Sequence, residues 1–176
     1  MTSTRPAFLR HLFRASADPR EAVRPLWHRT VAIAREPRWY AECGVEDTVP
    51  GRFDMITAIL SLVVLRMEDE RELQEPSAYL IELFVEDMDG QLREFGINDV
   101  VVGKHMGRLM STLGGRMGAY REGLGTTDDM RLADAVRRNL SLRDDAPAER
   151  LAEELRRFAH SLAATGSDDL LSGRIG

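Results

Sequence analysis

The sequence lacks the cysteines that covalent or metal-based stabilisation would require. Cys43 is the only cysteine among 176 residues, so no disulfide can form within the chain and a cysteine-rich zinc site is excluded. A chain of this length can bury a core that needs neither device. The composition therefore fits one domain in a reducing compartment such as the cytoplasm.

A long hydrophobic run is also absent. The most apolar stretch, residues 55–65, lies between Asp54 and Arg66 and falls well short of the roughly 20 residues that span a membrane. The first 16 residues carry arginines and lack a continuous apolar segment, so we predict no secretory signal. We expect a soluble, cytoplasmic protein.

Histidines are few, and their spacing excludes two kinds of metal site. None has a glutamate three residues before it, which removes the Glu-x-x-His pattern of di-iron bundles and the His-Glu-x-x-His pattern of zinc proteases. The four are His11, His28, His105 and His160. A nucleophilic pair of Cys43 with a histidine would have to assemble in space, and nothing in the sequence supports one. We therefore predict no catalytic residue, no metal, no cofactor and no enzyme activity.

A Gly-Lys pair, Gly103 and Lys104, follows a run of valines, as the lysine of a phosphate-binding loop would. Six residues separate Gly96 from Gly103, whereas that loop needs four, and His105 stands where a Ser or Thr would bind magnesium. The residues before Gly96 also have helical spacing, whereas a phosphate-binding loop follows a strand. We interpret Gly96 as a helix C-cap and the Gly-Lys pair as part of the next helix.

The charges are unevenly distributed along the chain. Residues 1–40 hold eight arginines against three carboxylates, whereas residues 41–100 hold four arginines against fifteen carboxylates. A basic amino-terminal arm beside an acidic middle can contact anionic lipid, RNA or an acidic partner. The alternative is an arginine-rich helix that packs on its own domain.

Helical periodicity dominates, and no segment alternates as a half-buried strand does. We therefore predict an all-α fold, a single-domain helical bundle of about six to eight helices. The helix that begins at Arg52 is apolar on several faces, which is typical of the centre of a bundle. The predicted divisions are a basic amino-terminal helical arm (1–36), packed on or flanking the domain, a helical domain (37–164) and a flexible tail (165–176).

Small residues form a stripe along the helix that follows Val102. They are Gly103, Gly107, Ser111, Gly114, Gly115 and Gly118. A glycine inside a helix costs roughly 1 kcal/mol relative to alanine, so several on one face need a compensating contact. The favoured explanation is close packing against another helix of the same bundle, and the alternative is a groove for a hydrophobic segment of a partner.

An acidic segment invites a metal-binding interpretation through Glu86, Asp87 and Asp89. An EF-hand loop needs glycine at its sixth position, whereas Gly90 is fourth from Asp87. On a helix, one exposed face instead carries Glu82, Glu86, Asp89 and Arg93, and Asp89 and Arg93 are spaced for an ion pair. We favour the solvated face.

The order of four stretches resembles the ubiquinol-cytochrome c chaperone family, which contains assembly factors for cytochrome b in mitochondria and α-proteobacteria. They are Tyr40–Ile56, Leu83–Met106, Gly115–Leu124 and Leu132–Leu140. The basic arm and the carboxy-terminal tail lie outside this resemblance. Two departures stand out: Ala58 and Ile59 replace a leucine and a histidine, and Leu113 and Gly114 replace an aromatic pair. Any role of that histidine, including haem ligation, is therefore excluded here.

The resemblance implies a non-enzymatic chaperone that holds newly made cytochrome b, or another hydrophobic helical client, before the bc1 complex assembles. It implies a location in the cytoplasm, with possible peripheral contact at the inner membrane. From the matched stretches we predict six client-binding residues: Arg52, Asp54, Asp87, Asp89, Lys104 and Tyr120. The alternative is a peripheral adaptor whose basic arm binds anionic membrane, RNA or the ribosome.

Overall fold

The computed structural model describes residues 18–94 and 99–176, except for the side chains of residues 91–94, 99–106, 108 and 129. The α-helices in these ranges are α1 (Arg24–Ala34), α2 (Pro37–Ala41), α3 (Val49–Glu68), α4 (Gln74–Glu94), α5 (Asp99–Leu124), α6 (Asp129–Asn139), α7 (Ala148–Ala163) and α8 (Ser167–Leu171). Two short 3-10 helices, Pro19–Ala22 and Arg71–Leu73, precede α1 and α4. No residue in the described ranges belongs to a β-strand, so the predicted all-α bundle is confirmed.

Helix α3 lies at the centre of the bundle. Thirteen of its 20 residues are buried, and it packs against α1, α4, α5 and α7. The side chain of Thr48 accepts a hydrogen bond from the backbone N–H of Gly51 and caps the helix. The helix therefore begins at Val49, three residues before the predicted start at Arg52. Apolar side chains on all its faces leave no face for solvent, which explains the central position.

Helix α1 packs directly on α3. Leu26, Trp27 and Ile33 are buried in this contact. The indole N–H of Trp39 donates to the carbonyl of Ile33 at 2.6 Å and fixes the turn between α1 and α2. The described part of the basic arm therefore packs on its own domain. Its first 17 residues lie outside the described residues.

Helices α4 and α5 carry the two segments that the sequence singled out. Helix α4 begins at Gln74, and Leu80, Phe84 and Met88 are buried at the four-residue spacing of one helix face. The predicted cap at Gly96 lies outside the described residues. The Gly-Lys pair belongs to α5, as expected for a helix and not for a phosphate-binding loop.

Four glycines of the stripe on α5 have no close neighbour from another helix within the described chain. A Cβ atom added at Gly107, Gly114, Gly115 or Gly118 would meet no described atom within 4 Å. Within the described chain, the favoured explanation from the sequence is therefore not supported at these four positions. Gly123, near the end of the helix, differs, because a Cβ there would lie 2.8 Å from the Cα of Leu132. Among the described glycines of α5, Gly123 is thus the one that another helix approaches closely.

The carboxy-terminal residues contradict the prediction of a flexible tail. Leu170 of α8 is fully buried and Ile175 is 5% exposed, and α8 packs against α1. The guanidinium of Arg29 donates to the carbonyl of Ile175 at 2.9 Å, and that of Arg66 donates to Thr165 at 2.9 Å. Two buried apolar residues are sufficient to hold this otherwise polar segment on the bundle. The polar composition of the segment led to the wrong prediction of a flexible tail.

We predict that Leu170→Ala lowers the free energy of unfolding by about 2 to 5 kcal/mol, because a buried leucine leaves a cavity when truncated. Leu171→Ala is the matched control, because Leu171 is adjacent to Leu170 but only half-buried. Urea unfolding followed by circular dichroism measures both. Equal and small effects of the two variants would show that the carboxy-terminal segment does not pack as described.

Candidate functional site

A buried ion pair joins three parts of the chain at one end of the bundle. Asp54 of α3 accepts a hydrogen bond at 2.6 Å from Arg116 of α5, and both side chains are at least 88% buried. The other carboxylate oxygen of Asp54 accepts from the backbone N–H of Ser141 at 3.0 Å and from its hydroxyl at 2.8 Å. Asp54 therefore connects α3, α5 and the loop between α6 and α7.

The chain before α3 brings Ser141 to this position. Val45 and Leu142 form an isolated antiparallel bridge, and the N–H of Glu46 donates to the carbonyl of Ser141 at 2.9 Å. Gly44 continues the contact by accepting from the N–H of Arg143, with a positive φ of 80°. This backbone pairing explains how a residue 87 positions from Asp54 reaches its carboxylate.

Two buried donors next to this ion pair have no partner among the described atoms. They are Nη1 of Arg116 and the hydroxyl of Tyr120, which lies one turn further along α5. Burial raises the pKa of the Tyr120 phenol, so it remains protonated at neutral pH. The guanidinium of Arg116 also lies over the ring of Phe53, with its carbon 5.7 Å from the ring centre.

A row of aromatic rings leads from this ion pair to the acidic face of α4. Phe53 stacks on Phe84 with ring centres 6.4 Å apart, and Phe84 meets Trp27 edge-on at 6.0 Å. The indole N–H of Trp27 donates to the carboxylate of Asp87 at 2.7 Å. Asp87 itself is exposed, so it ties α4 to α1 while one side of its carboxylate faces solvent.

The six predicted site residues do not form one cluster. Asp54 and Tyr120 are buried and contact this chain's own helices, so as placed they have no surface for a client. Arg52 lies on another part of the surface and pairs with Asp47 at 2.6 Å. Asp87 and Asp89 remain on the outer part of α4, exposed and half-buried respectively.

Lys104 completes the six residues. It belongs to α5, but its side chain lies outside the described residues. Client contact therefore stays a prediction for Lys104, as it does for Arg52, Asp87 and Asp89.

Sequence reasoning missed Arg116, Ser141 and Trp27, which are the partners of two predicted residues. Arg116 lies in the matched stretch Gly115–Leu124 but was not among the six predicted site residues. A buried carboxylate needs a cation or several hydrogen bonds. The position of Asp54 on an apolar helix therefore indicated that a partner exists. Which arginine satisfies it cannot be read from spacing, because the two residues are 62 positions apart.

The acidic face of α4 supports ion pairing and not metal binding. Glu86 accepts a hydrogen bond at 3.0 Å from Arg20, which also pairs with Asp18. Within the described residues, no three His, Cys, Asp or Glu side chains converge as metal ligands would. The predicted partner Arg93 has a side chain outside the described residues. The carboxylates thus form a solvated face, part of which holds the amino-terminal segment.

Cys43 has the properties of an inert thiol. Its side chain is 2% exposed, and burial raises the pKa of the thiol. The thiolate is the nucleophilic form, so the native protein keeps Cys43 in its unreactive state at neutral pH. Among the described residues, the groups that influence this pKa are Glu154, Arg150 and Glu42, and none of them is a histidine.

The outer side of α5 carries several exposed small residues in the described chain. Gly114 and Gly115 are exposed, and Met110 is 43% exposed one turn before them. Leu109 and Met117 are half-buried and border the same stretch. Flexible, polarisable methionine side chains adapt to varied apolar partners, and bare backbone allows a close approach. This surface, Leu109–Gly118, is called the α5 face below.

Comparisons with known proteins agree with this architecture. A family model described as Ubiquinol-cytochrome C chaperone matches residues 41–175. The crystal structure of the Cbp3 homolog from Brucella abortus is similar to this chain, with 32% sequence identity and a TM-score of 0.77. The similarity covers 89% of this chain and 88% of that one. A search of curated proteins gives no match.

The family match also corrects a boundary that the sequence predicted. It extends to residue 175 and so includes the segment that was expected to be a tail outside the resemblance. This agrees with the packing of α8 on α1. It begins at residue 41 and therefore leaves out the whole basic arm (1–36), as predicted.

We predict that Asp54→Ala destabilises the fold by about 3 to 5 kcal/mol, because it leaves the Arg116 guanidinium buried without its carboxylate. Asp47→Ala is the control; it removes an ion pair that is more than half exposed and should cost less than about 1 kcal/mol. Chemical unfolding compares the two variants.

The double variant Asp54→Ala with Arg116→Met gives a further check. Replacing both charges removes the unpaired guanidinium, so we expect part of the lost stability to return. If Asp54→Ala proves as mild as Asp47→Ala, the ion pair does not hold the bundle together.

Proposed function

Because this chain belongs to the ubiquinol-cytochrome C chaperone family, we propose that it binds newly made cytochrome b and holds it for assembly of the bc1 complex. The family match carries this proposal, with the related Cbp3 homolog structure in support. Membership makes the chain an assembly chaperone and not an enzyme, as the sequence predicted. No described helix combines the length and hydropathy of a membrane span.

We propose that the client contacts the α5 face. Each glycine in the middle of a helix costs roughly 1 kcal/mol relative to alanine, and the glycines of this face gain no compensating contact within the described chain. A hydrophobic client helix that lies along the bare backbone would supply that contact. Buried apolar surface at about 25 cal/mol per Å² is sufficient for reversible holding once the costs of association are subtracted.

The acidic residues of α4 are proposed to orient the client. Helix α4 packs against α5, so Asp87 and Asp89 belong to an element beside the proposed contact. Carboxylates at the rim of an apolar contact select partners with basic flanking residues more than they add affinity. In this scheme Asp54 and Tyr120 act from inside, because they fix α5 against α3.

The alternative function, an adaptor that works through the basic arm, is narrowed by ion pairing. Arg20, Arg24, Arg29 and Arg38 each pair with a carboxylate of this chain. These four arginines therefore already have carboxylate partners within the bundle, which leaves less positive charge for an anionic partner. Arg5, Arg10 and Arg14 lie outside the described residues, so binding of RNA or the ribosome through them stays a prediction. Arg35 is different and is considered below.

We predict that replacing Gly114 and Gly118 together with leucine abolishes capture of cytochrome b, because leucine side chains block close approach to α5. The same positions changed to alanine are the control, since alanine stays small and each substitution should stabilise the helix by up to about 1 kcal/mol. Affinity purification of tagged protein in mild detergent, followed by mass spectrometry, measures capture. Undiminished capture by the leucine variant would remove the α5 face from the proposal.

We also predict that Asp87→Asn with Asp89→Asn weakens capture of cytochrome b with little loss of helicity. Asparagine at position 87 can still accept the hydrogen bond from Trp27, so the tie between α4 and α1 is kept. The same purification measures the effect, and circular dichroism checks the fold. If this variant captures cytochrome b as well as the wild type, the acidic residues do not contribute.

A further inference from the structure

An open cleft of about 700 Å³ lies between α2 and the beginning of α3, and none of its described lining residues belongs to α5. It is lined by Arg35, Pro37, Tyr40, Ala41, Asp47 and Arg52. Two guanidinium groups therefore share one cavity with a single carboxylate. The aromatic ring and two small apolar residues complete its walls.

The guanidinium groups of this cleft have unused donors. Among the five described arginines of residues 1–40, Arg35 is the one whose guanidinium has neither a hydrogen bond nor an ion pair within the described chain. Arg52 uses its Nε to reach Asp47 at 2.6 Å, and its two terminal nitrogens have no hydrogen-bond partner within the described chain. The cleft thus offers two arginine forks that can each bind an oxyanion.

The remaining polar groups leave the cleft with a net positive charge. The hydrogen bond from Arg52 lowers the pKa of Asp47, so this carboxylate is ionised and offsets only one of the two arginines. Tyr40 donates its hydroxyl hydrogen to the carbonyl of Ala34 at 2.8 Å. It therefore has no hydrogen left for an incoming anion, and the two arginines must hold such a ligand.

An exposed apolar tip stands beside the cleft. Val49 is 71% exposed and Pro50 is also exposed, and both lie in sequence between the lining residues Asp47 and Arg52. Large apolar side chains with such exposure are few in the described chain. An apolar tip next to arginines is the arrangement of a protein surface at a lipid interface, where arginines meet the phosphates and apolar side chains enter the headgroup boundary.

We propose that this cleft binds the phosphate group of an anionic phospholipid, with Val49 and Pro50 in contact with the headgroup region. Arginine forks match the several oxygens of a phosphate, and the volume of the cleft exceeds what a single carboxylate would fill. The site goes beyond client binding and does not depend on it, because vesicles without cytochrome b are sufficient to detect it. It would hold the chaperone against the membrane surface by a side other than the α5 face.

The test is co-sedimentation of the full chain with vesicles of phosphatidylglycerol and phosphatidylcholine, against vesicles of phosphatidylcholine alone. We expect binding only to the anionic vesicles, and binding roughly tenfold weaker or more for Arg35→Gln with Arg52→Gln, since each arginine near an anionic surface contributes on the order of 1 kcal/mol. Val49→Ser should weaken binding independently.

A second double variant, Arg71→Gln with Arg131→Gln, is the matched control. Both of these arginines are exposed and have no ion pair within the described chain, so the net charge changes equally. It should bind anionic vesicles as the wild type does. Equal losses in the two double variants, or unchanged binding in the first, would overturn the site in favour of general charge or the amino-terminal arm.

Calorimetry with inorganic phosphate distinguishes the source of the ligand. Phosphate binding that Arg35→Gln with Arg52→Gln abolishes, without any binding to vesicles, would overturn the assignment to lipid. Absence of vesicle binding by the wild type would overturn it as well. Capture of cytochrome b by the wild type in that case would leave the proposed function standing.

Discussion

The carboxylate of Asp54 is the interaction on which the arrangement of the bundle depends. It lies in the first turns of the most buried helix, and it accepts hydrogen bonds from α5 and from the loop that precedes α7. Removal of two charges from water is expensive, and the three hydrogen bonds offset that cost only in one geometry. The pair with Arg116 therefore sets the position of α5 more than it adds stability. Every surface feature of α5 inherits that position.

Rigidity inside and bareness outside are combined in the same helix. On its inner side α5 presents Arg116 and Tyr120 to α3, and on its outer side it presents Gly114, Gly115 and Met110. A helix with this many glycines would bend or fray on its own. The ion pair and the ring contact with Phe53 hold it from within, so its outer face can remain free of side chains without loss of order. These internal contacts thus keep α5 ordered although its outer face carries few side chains.

The sequence predicted the class of fold well and the use of polar residues poorly. Periodicity located the central helix to within three residues, because apolar spacing reports burial directly. It could not tell that Asp54 faces inward, since a carboxylate on an apolar helix is equally compatible with either direction until its partner is known. The prediction made from the glycine stripe is limited in the same way, because small residues permit the close approach of a helix but do not specify which helix approaches. Ile175 escaped notice because one buried residue gives no periodicity.

The contact between Arg29 and the carbonyl of Ile175 has a consequence for the order in which the chain folds. These residues lie 146 positions apart, so α1 cannot complete its packing until almost the whole chain has left the ribosome. Contacts of such sequence separation form late and slow the approach to the native state. Leu26 and Trp27, which are buried in the folded protein, remain exposed during synthesis until the helices that cover them have been made. The packing of α1 is therefore complete only after residue 175 has been synthesised.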